Sequence, residues 1–550
     1  MRAIGISASR RSAGRERLFA ALGSAFGVTF TWRPVDDESA LDAWVVLDAI
    51  GEGLCLPKGS VLPSYVALDA SVCVHESRTS TLTFRDDPAV PRVLRGRTLT
   101  ADDVADHPQL PVWLSGTTSL AEKDGMPIWA VDAEAGRQWF VAGPPPELGE
   151  REALFAHFSG TRIAQLLPLV CFILTISAEV GWEPPPLQAS FMVDDPNLHW
   201  PSYGYIEYRE MAARATAGNY HVSFATIPLD AWFVHRRAGA LFREHAARLS
   251  LLFHGNDHVA NELARSRSTA AADEMVSQAI GRIGDLEARA GISVSRVMAP
   301  PHGACSEDTI AALGRHGFDA VCVSRGSLRH HNPGAPWLAT LGMGALDEIA
   351  GLTLIPRFGL TPSCANDILI AALLHQPVVP MTHHQVVAEG YALLDATADL
   401  INSLGDVEWC HMEGIARARY YRRRIGNRLD VRMLSGRVDI VVPVGVSKVA
   451  VEARMDGDEG LRPLWWRIRC PLQADWRAIG PGGAVDVAGG QTIEIATSRM
   501  LATSPATRRS SGHRAVMPVA RRVLTEGRDR LLPTARRLLG RGVERRVAAS

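Results

Sequence analysis

FMVDDPNLHW, residues 191–200, runs from an apolar stretch into two adjacent carboxylates and then into a proline that blocks simple continuation of a strand. Two like charges at the rim of a buried element repel unless something positive lies between or beside them. Outward from this stretch, from about 186 to 415, apolar runs alternate with helical segments. The runs are LQASFMV, YHVSFATI, LSLLF, VSRVMA, FDAVCVS, LTLIP and PVVPMT. The segments between them include YIEYREMAARATAG, AGALFREHAARLS, AADEMVSQAIGRIGDLEARA, SEDTIAALGRHG and NDILIAALLHQ. Strands that alternate with helices predict parallel pairing through crossovers, an α/β architecture. Ser306, followed by Glu307 and Asp308, reads as an N-cap with carboxylates in the first turn, where the helix dipole favours negative charge.

In parallel α/β folds, functional groups gather where the strands end, because loops converge there. The first run ends in Asp194 and Asp195, the third in His254 with His258 four residues on, and the fourth in Pro300-Pro301-His302-Gly303. The seventh ends in His383 and His384, and Arg325 and Arg357 follow the fifth and sixth. Within FHGNDH the H-x-x-x-H spacing lets both imidazoles reach one cation. Two histidines and one aspartate are a common ligand set for zinc and leave a position open for water. Such a cation would relieve the repulsion within the acid pair.

VDDP, HGNDH, APPHG and the late TH after a strand, in that order, resemble the motifs of the polysaccharide deacetylase superfamily over roughly residues 186–390. The resemblance implies a distorted (β/α)7 barrel of the glycoside hydrolase/deacetylase type. It also implies a metal-dependent hydrolase of carbohydrate metabolism, acting on carbon–nitrogen non-peptide bonds to remove an acetyl group from N-acylated sugars of a polysaccharide or oligosaccharide. Carried over, Asp194 is the general base, and Asp195, His254 and His258 hold a divalent metal, zinc. The backbone N–H of His302 stabilises the oxyanion, and His383 or its neighbour His384 is the acid. Trp200, Tyr203, Pro301, Arg325 and Arg357 are the candidate substrate contacts. Three departures stand out: Pro196 replaces a glycine, His302 replaces an aromatic residue, and Ala299 stands where the family has an arginine that orients the base. Arg325 or Arg357 is then the candidate substitute for that arginine. Two rival classes are a catalytically degenerate carbohydrate-binding or assembly protein on the same barrel, and a glycoside hydrolase, for which no second acid is nominated.

Around this unit the 550 residues divide further. Residues 1–155 mix short strands with loops rich in charge and proline, an N-terminal α/β or α+β domain. Residues 156–185 form an apolar helix and a proline-rich linker, and 186–415 form the barrel. Residues 420–500 alternate apolar and polar at period two, which predicts an antiparallel β-sandwich. Residues 501–550 hold twelve arginines, three acidic side chains and no lysine, a helical or disordered tail that suits contact with a membrane or an anionic partner. The window LLPLVCFILTISAEVGW, residues 166–182, is too short and too interrupted for a membrane span and reads as a buried helix. A net charge of −1 argues against general nucleic-acid affinity. Eight scattered cysteines without a CxxC pair suggest a reducing compartment, and the N-terminus shows no cleavage pattern, so the expected location is cytoplasmic. Cys305 reads as a buried thiol, and His221, His235, His245 and His316 as residues of surfaces or helix ends.

Overall fold

The computed structural model describes residues 2–34, 38–49, 61–68, 72–74, 79–102, 106–110, 116–132, 137–158, 162–265, 267–453, 464–468, 475–479, 483–497, 500, 520, 524 and 527. Nearly all of the arginine-rich tail therefore lies outside the described residues. The chain is a mixed α/β protein whose contacts divide it into two units.

The first unit comprises Met1–Trp182, Gly334–Ala345 and Ala365–Leu374. Its nine-stranded sheet runs Val28–Trp32, Arg2–Ser7, Ala43–Ala49, Ser64–Leu68, Gln138–Ala142, Met126–Asp132, Thr117–Lys123, Thr79–Phe84 and Thr98–Asp102 in spatial order. The first five strands pair in parallel and the rest antiparallel. The helix Ala13–Phe26 begins at Ser12, whose hydroxyl accepts the Arg15 N–H, and closes at Gly27 in the left-handed region. The apolar window forms the helix Ile163–Ser177, buried along most of its length. Its Phe172 packs against Tyr65 and Trp139 of the sheet, with ring centroids 5.9 and 5.4 Å away. Among the described residues no helix is long and apolar enough to cross a membrane.

In the second unit all seven expected runs form strands of one sheet. In chain order they are Phe191–Asp194, Val222–Thr226, Leu249–Phe253, Val294–Met298, Ala320–Val323, Leu352–Pro356 and Pro380–Thr382. They pair in parallel in the spatial order sixth to first, then seventh. The first run is split: Leu187–Ala189 pairs separately with Val407–Trp409. Beyond the sixth strand, Phe358–Gly359 pairs in parallel with Pro380 and Met381 at the other end of the sheet. A single residue, Arg357, thus joins segments that pair at the two ends. Inward-facing side chains from six strands, Met192, Ala225, Leu252, Val297, Cys322 and Ile355, form one buried cluster with Met412, Ile415 and Ala416 of the helix Met412–Arg417. Period-two alternation is what sets one face of each strand apart for such a cluster.

His221 departs from the surface position expected of it. It is buried at the start of the second strand, with Nδ1 3.1 Å from the Ala247 carbonyl and Nε2 2.8 Å from the Ser250 hydroxyl. Both ring nitrogens are satisfied, which lets a polar ring occupy the core. His235, His245 and His316 do occupy helix ends.

The C-terminal runs form two four-stranded sheets. One is ordered Tyr420–Ile425, Arg428–Met433, Lys448–Ala453, Ala484–Asp486, and the other Arg437–Val441, Thr492–Thr497, Leu464–Ile468, Arg477–Ile479. Val431, Val449 and Val485 of the first share one apolar cluster with Val438, Ile440, Trp466, Ile493 and Ile495 of the second. The pairing is not wholly antiparallel, because Arg428–Met433 and Lys448–Ala453 run parallel. The strand between them, Arg437–Val441, belongs to the other sheet.

Candidate active site

Strand geometry separates the two adjacent carboxylates. Asp194, two residues after the inward-facing Met192, shares its side of the first strand and is 3% exposed. Nη1 of the equally buried Arg357 donates to both of its oxygens, at 2.9 and 3.0 Å. Asp195 lies just past the strand with φ 74°, a left-handed conformation uncommon outside glycine. Its Oδ1 is 2.8 Å from Nε2 of His258 and 3.4 Å from Nε2 of His254, and its Oδ2 is 3.8 Å from Nε2 of His383. One acid thus meets a guanidinium and the other meets imidazoles, which answers the repulsion implicit in the sequence.

Burial pushes the Asp195 carboxyl up, but hydrogen bonds from His254 and His258 outweigh it and hold the group well below the usual carboxylate range. Burial pulls His254 down, and the Asp194 and Asp195 carboxylates more than reverse this, so its imidazole is raised.

Donor atoms of Asp195, His254 and His258 all lie within 4.8 Å of one another. Nδ1 of His254 is 2.8 Å from the Ala299 carbonyl, which fixes the ring and turns Nε2 toward Asp195. A metal-ligating histidine anchored through its other nitrogen is the usual outer-shell arrangement, so these residues fit a divalent cation. Two nitrogens and one carboxylate oxygen are a donor set that suits zinc.

The remaining sequence candidates fall into distinct places. His302 is exposed in a left-handed conformation, φ 57°, with its ring 5.0 Å from that of His258. His383 is half exposed beside Asp195, whereas His384 is buried against Tyr203 and Tyr205, 5.1 and 5.5 Å between rings. Tyr203 is itself buried, so its ring is not a surface for a ligand, while Trp200 is exposed. Pro301 is buried against Gly255: a Cβ added to that glycine would stand 2.5 Å from Pro301 Cγ. Arg325 opens the helix Arg325–His331 and donates to Gln376. Arg357 is buried on Asp194 and does not present its guanidinium to solvent. Cys305 is buried, and burial pushes its thiol up to about 12, against a nucleophilic role.

Three further residues at this end of the sheet carried no sequence signal. Trp232 and Phe233, on the loop after the second strand, are exposed, and His199 lies 4.9 and 6.0 Å from their rings. Hydrogen bonds anchor the chain just before this pair: His199 Nε2 donates to the Asp230 carbonyl at 2.8 Å, and Leu229 N–H donates to the Asn256 carbonyl at 3.0 Å. Glu262 is buried beneath the histidine loop. Nothing in their spacing sets these three residues apart in the sequence.

Comparison with known proteins returns no matching family model and no matching curated protein. Among solved structures, a Mycobacterium smegmatis protein assigned as a polysaccharide deacetylase is similar at 14% identity, covering 42% of this chain and 90% of its own, with a TM-score of 0.30. A family 4 carbohydrate esterase from Streptomyces lividans, solved with acetate, is similar at 11% identity, covering 40% and 88%, with a TM-score of 0.24. A family 4 pseudoenzyme from Bacillus anthracis is similar at 9% identity, covering 44% and 69%, with a TM-score of 0.26. Each of these three similarities spans about two-fifths of this chain.

Proposed function

We propose that this chain is a metal-dependent hydrolase that removes an acyl group, acetyl in the simplest case, from N-acylated sugars of an oligosaccharide or polysaccharide. The observation that carries the reading is the convergence of Asp195, His254 and His258 beside a buried Asp194–Arg357 pair. The seven strands are read as a distorted (β/α)7 barrel, supported by their shared inward cluster and by the pairing of Phe358–Gly359 at the far end of the sheet. The C-terminal sheets are read as a β-sandwich on the strength of their common apolar cluster.

Asp195, His254 and His258 would hold the cation. When bound there, a zinc ion would lower the pKa of a coordinated water and polarise a carbonyl. Asp194 accepts the proton of the attacking water, its carboxylate oriented by Arg357 in place of the arginine absent at Ala299. The backbone N–H of His302 donates to the oxyanion that develops on the substrate carbonyl. His383, half exposed beside Asp195, protonates the departing amine; the packing of His384 against Tyr203 and Tyr205 argues against that role for it. Trp200, Trp232 and Phe233 offer exposed aromatic faces to the apolar faces of sugar rings.

Metal analysis of the purified protein, paired with acetate release from N-acetylated chitooligosaccharides, tests this. Wild type should carry one equivalent and release acetate, and His254→Ala should lose both. Asp194→Asn should keep the metal and lose roughly 10²–10⁴-fold in rate. Oligosaccharide binding without acetate release would favour the rival binding-protein reading, whose support is the family arginine missing at Ala299. A metal-free wild type that resists reloading would end the hydrolytic account.

A further inference from the structure

The loop that carries both histidines is wrapped around a buried carboxylate. Glu262 Oε2 accepts the N–H of Asn256 at 2.9 Å and of His258 at 3.2 Å, and Oε1 accepts that of Asp257 at 2.7 Å. Three successive backbone donors thus point at one anion. Gly255 at φ 67° and His258 at φ 56° bend the chain into the concave form that such a nest requires. Without the carboxylate, these donors would turn to other partners and the left-handed turn at His258 would lose what holds it.

Both faces of the nest are fixed. Outside it, Arg282 of the helix Thr269–Ala290 reaches Asn256 Oδ1 at 2.8 Å and Asp257 Oδ1 at 2.6 Å, and Asn256 Nδ2 donates to Gln278 at 2.7 Å. Beneath it, Leu263 forms a parallel bridge with Cys305, and its carbonyl accepts the Ser306 N–H at 2.9 Å. Glu262 is therefore a post set between the histidine loop and the loop that bears His302. The glycine at 255 belongs to the same arrangement, since a Cβ there would stand 2.5 Å from Glu262 Oε2.

We propose that Glu262 is a positioning residue for the metal centre: by gathering the amides of residues 256–258 it holds His258 in the one backbone conformation that brings Nε2 to Asp195. The working unit is then the nine residues HGNDHVANE, 254–262, rather than the histidine pair alone. This rests on the reading that Asp195, His254 and His258 bind a divalent cation.

The test is zinc affinity of the full chain stripped by chelator dialysis, measured by competition with a chromophoric chelator. Wild type, His258→Ala, Glu262→Gln and Glu262→Asp are compared, with circular dichroism confirming that each variant is folded. Glu262→Gln keeps shape but exchanges one acceptor oxygen for a donor, and it should weaken zinc about 10–100-fold at unchanged stoichiometry, the scale of outer-shell substitutions. Glu262→Asp keeps the charge and should recover part of the loss; it also serves if the glutamine variant does not fold. Wild-type affinity in both folded Glu262 variants, with His258→Ala defective, overturns the positioning role and leaves the metal site standing. Equal affinity in wild type and His258→Ala, or no zinc binding by wild type, overturns the metal reading and the inference with it.

Discussion

Replacing Arg357 by methionine should be far more damaging than replacing Arg357 and Asp194 together. The two side chains are 3% and 4% exposed, and one Nη1 serves both carboxylate oxygens, at 2.9 and 3.0 Å. At an effective dielectric of about 20, unit charges some 3–4 Å apart attract by roughly 4–5 kcal/mol, a large term in a site so little screened by water. Arg357→Met leaves a buried carboxylate without its counter-charge, and Asp194→Asn leaves a buried guanidinium in the same position. Breaking a buried pair from one side typically costs about 3–5 kcal/mol, whereas replacing both members is often close to neutral. Each single variant should therefore lower the denaturation midpoint in urea, followed by tryptophan fluorescence, and the double variant should recover much of that loss. The cycle should return a coupling of about 2 kcal/mol or more. A double variant whose loss equals the sum of the singles would refute the claim that this arginine is the partner of Asp194.

Two further outcomes concern other parts of the molecule. Burial lowers the His221 imidazole from 6.5 to about 4, so the folded state binds fewer protons than the unfolded one between those values. Its contribution is complete above pH 6.5 and is lost as the pH falls toward 4, by about 3 kcal/mol in all. Asp319 acts in the opposite sense, since burial pushes its carboxyl up to about 6 despite Arg417 and Arg437. The decisive measurement is thus the difference in stability between wild type and His221→Gln across that range, which should shrink on acidification. A difference independent of pH would exclude His221 as a titrating core residue. At the rim, Trp232→Ala should raise KM for N-acetylated tetramers about tenfold while leaving a monosaccharide substrate little changed; an equal effect on both would argue against a stacking surface for neighbouring sugars.

Much of the second unit was legible because each run reports on its own geometry. Seven apolar stretches separated by helical periodicity became seven strands of one sheet, and the polar termini of the first and third brought donor atoms of Asp195, His254 and His258 within 4.8 Å of one another. Ser306 capped its helix as its neighbours suggested, with its hydroxyl accepting the Thr309 N–H. What stayed hidden depended on distant partners. Arg325 and Arg357 occupy equivalent places after successive strands, yet Ser324 caps a helix that carries Arg325 off to Gln376. Arg357 instead sits at the break between Leu352–Pro356 and Phe358–Gly359, where the chain delivers its guanidinium to the first strand. His383 and His384 are likewise adjacent in sequence, and only their surroundings distinguish them: His383 stands half exposed beside Asp195, whereas His384 packs against Tyr203 and Tyr205.

By itself, the sequence determined the α/β alternation and the ends at which chemistry gathers, because side-chain periodicity and chain direction are local properties; that Asp195 rather than Asp194 joins His254 and His258 as a candidate ligand was implied only by the family resemblance. Tertiary structure alone decided which cation faces Asp194, which histidine stands beside Asp195, and that Glu262 gathers the amides of the histidine loop. Each of those outcomes is a contact between segments far apart along the chain or folded back on themselves. Periodicity names the face a residue occupies, but the neighbour it meets there is chosen by strand order, by bends such as those at Gly255 and Arg357, and by the demand that buried polar groups find partners.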